Sequence, residues 1–346
     1  MLFRTLLAGL ALSTAAQAAT VGTLVLPADD GGGEVTLFYP TAATGHTEQR
    51  GDLEWRIAPG AQPAGGNGRL IAVSHGSGGG PWVHSVLAQA LVNAGFTVVL
   101  PLHRGDNWTD HSGPGPASWQ QRPAEISHAI DRVAADPRFA GLKVDRVGGF
   151  GMSAGGHTML TLAGGAWSPE RFRQHCERHL SDDFNACVGL AAGLNGGALD
   201  GFKQWLAQRV LSWKFGGDAT PRTHDDPRLS AIVAGVPLAA DFDFTTLAKP
   251  RVPLGLITAD GDRWLHRQFH SDALRAACLG CELLVDLHGA GHGALLAPGL
   301  QASGLSALEC LLLCDPPGYD RRAGTALWVE RTVAFFRRHL LAPGGA

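Results

Sequence analysis

No stretch of the chain is rich in lysine or arginine, and 28 basic residues against 31 acidic ones leave a net charge of −3. Nucleic acids and anionic membranes are bound through concentrated positive charge, so neither is an expected partner. Long apolar runs are missing too. Leu6 to Leu12 falls well short of the roughly 20 residues that span a bilayer, and no other stretch is long enough. There is no His-Glu-x-x-His. His175 and His179, and likewise His266 and His270, lie four apart without a third ligand in sequence, so no metal is expected. Cys278-Leu279-Gly280-Cys281 reads as half a zinc site or a redox pair, but a second Cys-x-x-Cys is absent. The glycine loop His75-Gly76-Ser77-Gly78-Gly79-Gly80 has neither the lysine of a phosphate-cradling loop nor Gly-x-Gly-x-x-Gly spacing, and no cofactor is expected. No internal repeat is present.

What is there is a globular composition: 346 residues, 45% of them hydrophobic, enough to bury a large core in one elaborated domain. Residues 1–18 read as a secretory signal, with Arg4 as the positive start, Leu6 to Leu12 as the apolar run and Ala16-Gln17-Ala18 as a small-x-small cleavage site. Residues 19–346 would then be the mature domain, periplasmic or secreted, with no membrane segment once the signal is removed. Six cysteines suit an oxidising compartment, and proximity pairs Cys176 with Cys187, Cys278 with Cys281, and Cys310 with Cys314. Other connectivities stay open, and partners four apart on a regular helix would bridge poorly.

Short β-branched runs alternate with longer helical stretches, which points to an α/β fold with a mostly parallel sheet covered on both faces. Val21 to Leu26, Glu34 to Tyr39 and Leu53 to Ile57 read as early strands of an antiparallel edge. Then follow strand Leu70 to Ser74, helix Val83 to Ala94, strand Phe96 to Leu100, helix Arg122 to Ala135 and a strand ending near Met152. Strands Arg228 to Val236, Val252 to Thr258 and Cys281 to Leu287 complete the series, with a last amphipathic helix from Thr325 to Leu340. Residues 165–227 break the alternation and read as an insertion, either a cap over the site or a surface excursion held by its own disulfide.

Gly151-Met152-Ser153-Ala154-Gly155 sets a serine where an apolar strand gives way to a helix, the pattern of a nucleophile elbow. A glycine-rich turn that happens to contain a serine would look the same, so the surroundings decide. Serine needs a base, a group to orient that base and donors for an oxyanion. Each is present in the chain order nucleophile, acid, base. The strand ending at Ser74 runs into the glycine loop, whose Ser77 N–H could face the same point as the Ala154 N–H. Asp260-Gly261-Asp262 follows a strand; Asp262 is preferred as the acid and Asp260 as a turn former, with Asp241 and Asp243 in reserve. His288-Gly289-Ala290-Gly291-His292 ends the next strand, and His292, deeper in the loop, is preferred over His288 as base. His157 reads as a packing residue, and His75 as a brace for the glycine loop.

Taken together, His75-Gly76-Ser77-Gly78-Gly79, Pro101-Leu102-His103-Arg104-Gly105-Asp106-Asn107, Arg122-Pro123-Ala124-Glu125-Ile126, the elbow, Gly289-Ala290-Gly291-His292 and Cys314-Asp315-Pro316-Pro317-Gly318 resemble the bacterial predicted dienelactone hydrolases related to platelet-activating-factor acetylhydrolase. The resemblance runs from about Gly68 to the C-terminus. It implies an α/β-hydrolase fold and a serine carboxylic ester hydrolase with Ser153, Asp262 and His292 as triad. Two departures are visible: Met152 stands where histidine is usual, and the nucleophile is serine where dienelactone hydrolase proper uses cysteine. A small-molecule ester is the expected substrate, with Trp82, His103, Asn107, Trp108 and Trp264 as candidate pocket residues by their closeness to the catalytic loops. A lipid or polyester hydrolase, a peptidase and a non-catalytic binding protein on the same fold are the alternatives.

Overall fold

The structure, a computed structural model, describes residues 20–50, 53–299 and 304–341. The expected signal segment, residues 1–18, lies outside the described residues. Ten strands form one sheet: β1 (Val21–Leu26), β2 (Val35–Pro40), β3 (His46–Arg50), β4 (Leu53–Pro59), β5 (Leu70–Ser74), β6 (Thr97–Pro101), β7 (Val147–Met152), β9 (Leu229–Gly235), β11 (Leu254–Ala259) and β12 (Cys281–Leu287). Their order is β12-β11-β9-β7-β5-β6-β2-β1-β4-β3. From β12 to β6 every pair is parallel. Beyond β6 the pairs are antiparallel except β1 with β4, which run parallel, so the edge is mixed where the sequence suggested a purely antiparallel one. The short strands β8 (Ala166–Trp167) and β10 (Phe242–Asp243) pair separately.

Central strands buried on both faces read as continuous apolar runs rather than alternating ones, and β5 and β6 are buried throughout. Alternate side chains feed two cores. On one face Leu70 and Ala72 join Ile126, Ile130, Met159 and Leu160 of α2 (Pro116–Ala135) and α3 (Ala154–Leu162). On the other, Ile71 and Val73 join Leu87 and Leu91 of α1 (Ser85–Asn93) and Trp328, Phe335 and Phe336 of α9 (Arg321–Phe336). Helix α2 starts at Pro116 rather than near Arg122. Gly115, at φ 92°, turns the chain in, Pro116 takes the first-turn position where its missing N–H costs nothing, and Pro123 is carried inside the helix.

The insertion between α3 and β9 folds as α4 (Pro169–His179), α5 (Phe184–Val188) and α6 (Asp200–Phe215). Helices α7 (Ser271–Ala277) and α8 (Ala307–Leu313) complete the set. The three disulfides are Cys176–Cys187, Cys278–Cys281 and Cys310–Cys314. The last avoids the poor geometry of a regular helix because α8 ends at Leu313 and Cys314 is extended, at ψ 161°. Among the described residues no helix is long and apolar enough to cross a membrane.

Strand β7 and helix α3 meet through glycine. A Cβ on Gly155 would collide with the Ser74 carbonyl oxygen, and one on Gly151 with the Gly155 carbonyl. Gly155→Ala is therefore expected to destabilise the fold by about 2–3 kcal/mol, the range of overpacked cores. Urea unfolding reads this directly, and an unchanged midpoint would show that α3 and the end of β5 at Ser74 are not in such contact.

Candidate active site

Ser153 sits between β7 and α3 at φ 57°, ψ −120°, and shares with Val236 alone a positive φ among the described non-glycine residues. Its backbone is held from both sides. The Ser153 N–H donates to Gly235 O at 3.1 Å, and its carbonyl accepts the N–H groups of His157 at 3.0 Å and Leu238 at 3.2 Å. The surroundings thus fix a conformation that serine would not choose.

Asp262 and His292 come together although thirty positions separate them, with Oδ2 and Nδ1 at 2.7 Å. The second carboxylate oxygen accepts N–H groups from Trp264 and Leu265, each at 2.9 Å. Because Nδ1 faces a carboxylate it carries the proton, which leaves Nε2 as a lone pair. That Nε2 is buried, has no hydrogen-bond partner among the described residues, and belongs to the wall of the cavity into which Ser153 opens. No hydrogen bond joins it to the Ser153 hydroxyl, and a bond between a nucleophile and its base commonly tightens only once a substrate is bound. The other candidates are engaged elsewhere. Asp260 holds His288 at 3.0 Å and the Gly289 N–H at 2.5 Å. Asp241 pairs with His157 at 3.0 Å, both wholly buried behind the elbow. Asp243 caps its own turn through the Thr245 N–H and pairs with Arg171.

The glycine loop is shaped by a buried network that sequence reading did not assign. Asp106 Oδ1 accepts the Ser77 hydroxyl at 2.5 Å and the Gly78 N–H at 3.0 Å, while its Oδ2 accepts Arg122 at 2.8 Å. Arg122 also donates to the carbonyls of His75 at 2.5 Å and Asp106 at 3.2 Å, and to Ser118 Oγ at 2.8 Å. His75 Nδ1 lies 2.7 Å from Gly76 O, and its Nε2 accepts the His103 N–H at 3.2 Å, so the ring is the neutral Nδ1–H form. Burial, with His103 and Arg122 nearby, holds its pKa well below the ordinary value. His103 itself bridges Glu125 Oε2 at 2.6 Å and Ser74 Oγ at 2.8 Å. The loop then passes beside the nucleophile: the point where a Cβ on Gly76 would stand is 3.4 Å from Ser153 Cβ. The advance signals were the reading of His75 as a brace for this loop and the place of Asp106, Arg122 and Glu125 within the motifs that carry the family resemblance.

The cavity has a volume of about 940 Å³, and the insertion supplies much of its wall, including Phe172, Phe184, Leu190, Leu206 and Leu211. Of the five residues proposed from sequence, only Trp264 lines it. Trp82 packs against Phe38 and Trp55. His103 lies in the network above. Asn107 builds a turn, accepting the N–H groups of Thr109 and Asp110 and donating to His103 O. Trp108 stands outside the cavity wall, 66% exposed. Closeness along the chain to a catalytic loop did not translate into closeness in space.

The histidines judged to lack a third ligand do meet one. His175 and His270 both place Nε2 on Asp183 Oδ2, at 2.8 and 2.9 Å. The donor chemistry does not suit a cation, because His270 Nδ1 accepts the Ala239 N–H at 3.0 Å, so its Nε2 keeps a proton and has no lone pair to give. Asp183 instead fastens the insertion to the segment after the acid: its Oδ1 takes the His266 N–H, and neighbouring Asn185 donates to Arg263 O.

No family model matches the chain, and no curated protein does. Among solved structures it is similar to the ferulic acid esterase from Streptomyces cinnamoneus, with a TM-score of 0.60 and 15% identity over 95% of this chain and 93% of that one. The parallel sheet with helices on both faces and this likeness define an α/β-hydrolase fold.

Asp106→Asn leaves the Arg122 guanidinium buried without its counter-charge and is expected to cost about 3–5 kcal/mol at pH 7, measured by urea unfolding. Burial pushes the carboxyls of Asp106 and Asp183 up, but Arg122 together with the Ser77 hydroxyl and Gly78 N–H in one case, and the two imidazoles in the other, outweigh it, and both end low. Stability from a depressed carboxyl is present above the ordinary pKa of about 4 and disappears as the pH falls through the lower folded value. Acid unfolding should therefore begin below about pH 4. Asp183→Asn should lower neutral-pH stability and flatten this decline; an unaltered slope would remove Asp183 from the account.

Proposed function

We propose that the chain is an exported serine carboxylic ester hydrolase acting through Ser153, His292 and Asp262. The observation that carries this reading is the Asp262–His292 pair at 2.7 Å, whose remaining imidazole nitrogen has no hydrogen-bond partner among the described residues and shares a cavity with a serine held at positive φ. His292 Nε2 takes the Ser153 proton as Oγ attacks the ester carbonyl carbon, and Asp262 stabilises the imidazolium that forms. The N–H groups of Ser77 and Ala154 hold the oxyanion. As the tetrahedral intermediate collapses, the imidazolium gives its proton to the departing alcohol and an acyl-enzyme remains. Water, deprotonated by the same imidazole, attacks the acyl carbon and releases the acid with Ser153 restored. The ester, rather than another acyl substrate, is supported by the likeness to a ferulic acid esterase and by the motifs similar to dienelactone hydrolases. Export is supported by the signal-like N-terminus and by three disulfides.

A fluorophosphonate probe should label the wild type and fail to label Ser153→Ala. On a soluble short-chain nitrophenyl ester, Ser153→Ala and Asp262→Asn are expected to lower kcat by about 10⁴-fold or more. An unlabelled wild type would leave a binding protein on a hydrolase fold as the better reading.

A further inference from the structure

Seven of the thirteen exposed large hydrophobic side chains among the described residues fall between Leu190 and Trp213. Five of them, Leu199, Phe202, Leu206, Val210 and Trp213, recur at steps of three and four and so form one stripe along α6. Their exposures run from 46% at Leu206 to 86% at Trp213. Contiguous apolar surface of this kind marks a contact site. The stripe is continuous with the cavity, because Phe202, Leu206 and Val210 also line it, as does Leu190 beside them. It therefore runs from the outer surface to the wall that Ser153 and His292 share.

The charges around it are occupied. Lys203 is bonded to Asp200 and to Gly193 O, Arg209 lies over the Trp205 ring, and Lys214 lies over Phe215. On the cavity wall Glu309 closes the capping box of α8 and Asp106 is held by Arg122. No row of unengaged cations is offered to an anionic headgroup. The cavity itself, at about 940 Å³, is far larger than a short ester needs. A second copy docked on the stripe would close the cavity mouth.

We infer that the substrate is a neutral ester with a long apolar chain, taken from its own aggregated phase, against which the exposed face of α6 lies. This rests on the serine-hydrolase reading of the same cavity. The apolar chain passes along Phe202, Leu206 and Val210 into the cavity, bringing the ester carbonyl to Ser153, while Leu199, Trp205 and Trp213 remain in the aggregate.

The test compares p-nitrophenyl butyrate in solution with trioctanoylglycerol taken through its solubility limit, using the full mature chain. The wild-type rate on trioctanoylglycerol should rise at least tenfold once emulsion forms. Leu199→Ser/Trp213→Ser, which leaves the cavity wall untouched, should lose at least tenfold on the emulsion and keep kcat/KM for the butyrate within twofold. Ser153→Ala should still float with the emulsion, and the same protein carrying the two serines should not. No rise at the solubility limit, or equal loss on both substrates, overturns the inference while soluble-ester hydrolysis stands. A dimer that the double variant turns into a monomer, with emulsion activity retained, overturns it in favour of contact between copies. If the wild type neither hydrolyses the butyrate nor takes the fluorophosphonate label, the serine-hydrolase reading fails and takes this one with it.

Discussion

The ion pair between Arg122 and Asp106 is the interaction on which the shape of the site depends. Both side chains are buried, and removing two charges from water is costly enough that a pair standing alone would add little. Here every remaining polar atom is used. Arg122 reaches two backbone carbonyls and a hydroxyl besides its partner, and Asp106 takes a hydroxyl and a backbone N–H besides Arg122. Through these bonds α2 and the segment after β6 fix the loop after β5, which has four glycines and no rigidity of its own. On the proposed mechanism this loop would present an N–H beside Ser153, and its shape is fixed by its neighbours rather than by side chains of its own.

Asp183 does for the acid what Asp106 does for the glycine loop. It collects two imidazole donors and a backbone N–H, from α4 and from the segment after Asp262. That segment supplies the two N–H groups that orient Asp262. The Cys176–Cys187 disulfide closes the chain around Asp183, so the root of the insertion is a fixed support of the site. Helix α6 differs, with Leu211 its one buried residue.

Local patterns were legible in the sequence where local physics decides the outcome. The elbow and the Asp262 turn each follow a strand that is buried on both faces and therefore reads as an apolar run, the histidine loop follows the partly exposed edge strand β12, and Asp262 and His292 do meet. The start of α2 was not legible, since Pro123 resembles a first-turn proline although Pro116 holds that position. Nor were the partners of Asp106 and Asp183, because nothing in the spacing of Arg122 or His270 announces which carboxylate it will meet. His103 and Asn107 were placed by proximity in the pocket, whereas the chain turns both inward to hold one another. Side chains that support a site look, in sequence, just like side chains that line one.

The packing around Ser153 bears on where selectivity would reside in the proposed hydrolase. Gly151, Gly155 and Gly156 are each met by backbone or by Pro237 where a side chain would begin, and Gly76 lies at ordinary contact distance from Ser153. The backbone around Ser153 at Gly151, Gly155 and Gly156 thus has no room to vary in shape, while Asp262 engages one nitrogen of His292. On the proposed ester-hydrolase reading, discrimination between substrates falls to the parts of the cavity outside those contacts. Those parts are the apolar faces of α4, α5, α6 and α8, which reach the cavity through Phe172, Phe184, Leu206 and Leu312. On the proposed reading the core geometry would set how an acyl group is transferred, and the insertion, held at its root by Asp183, would set which chain reaches Ser153.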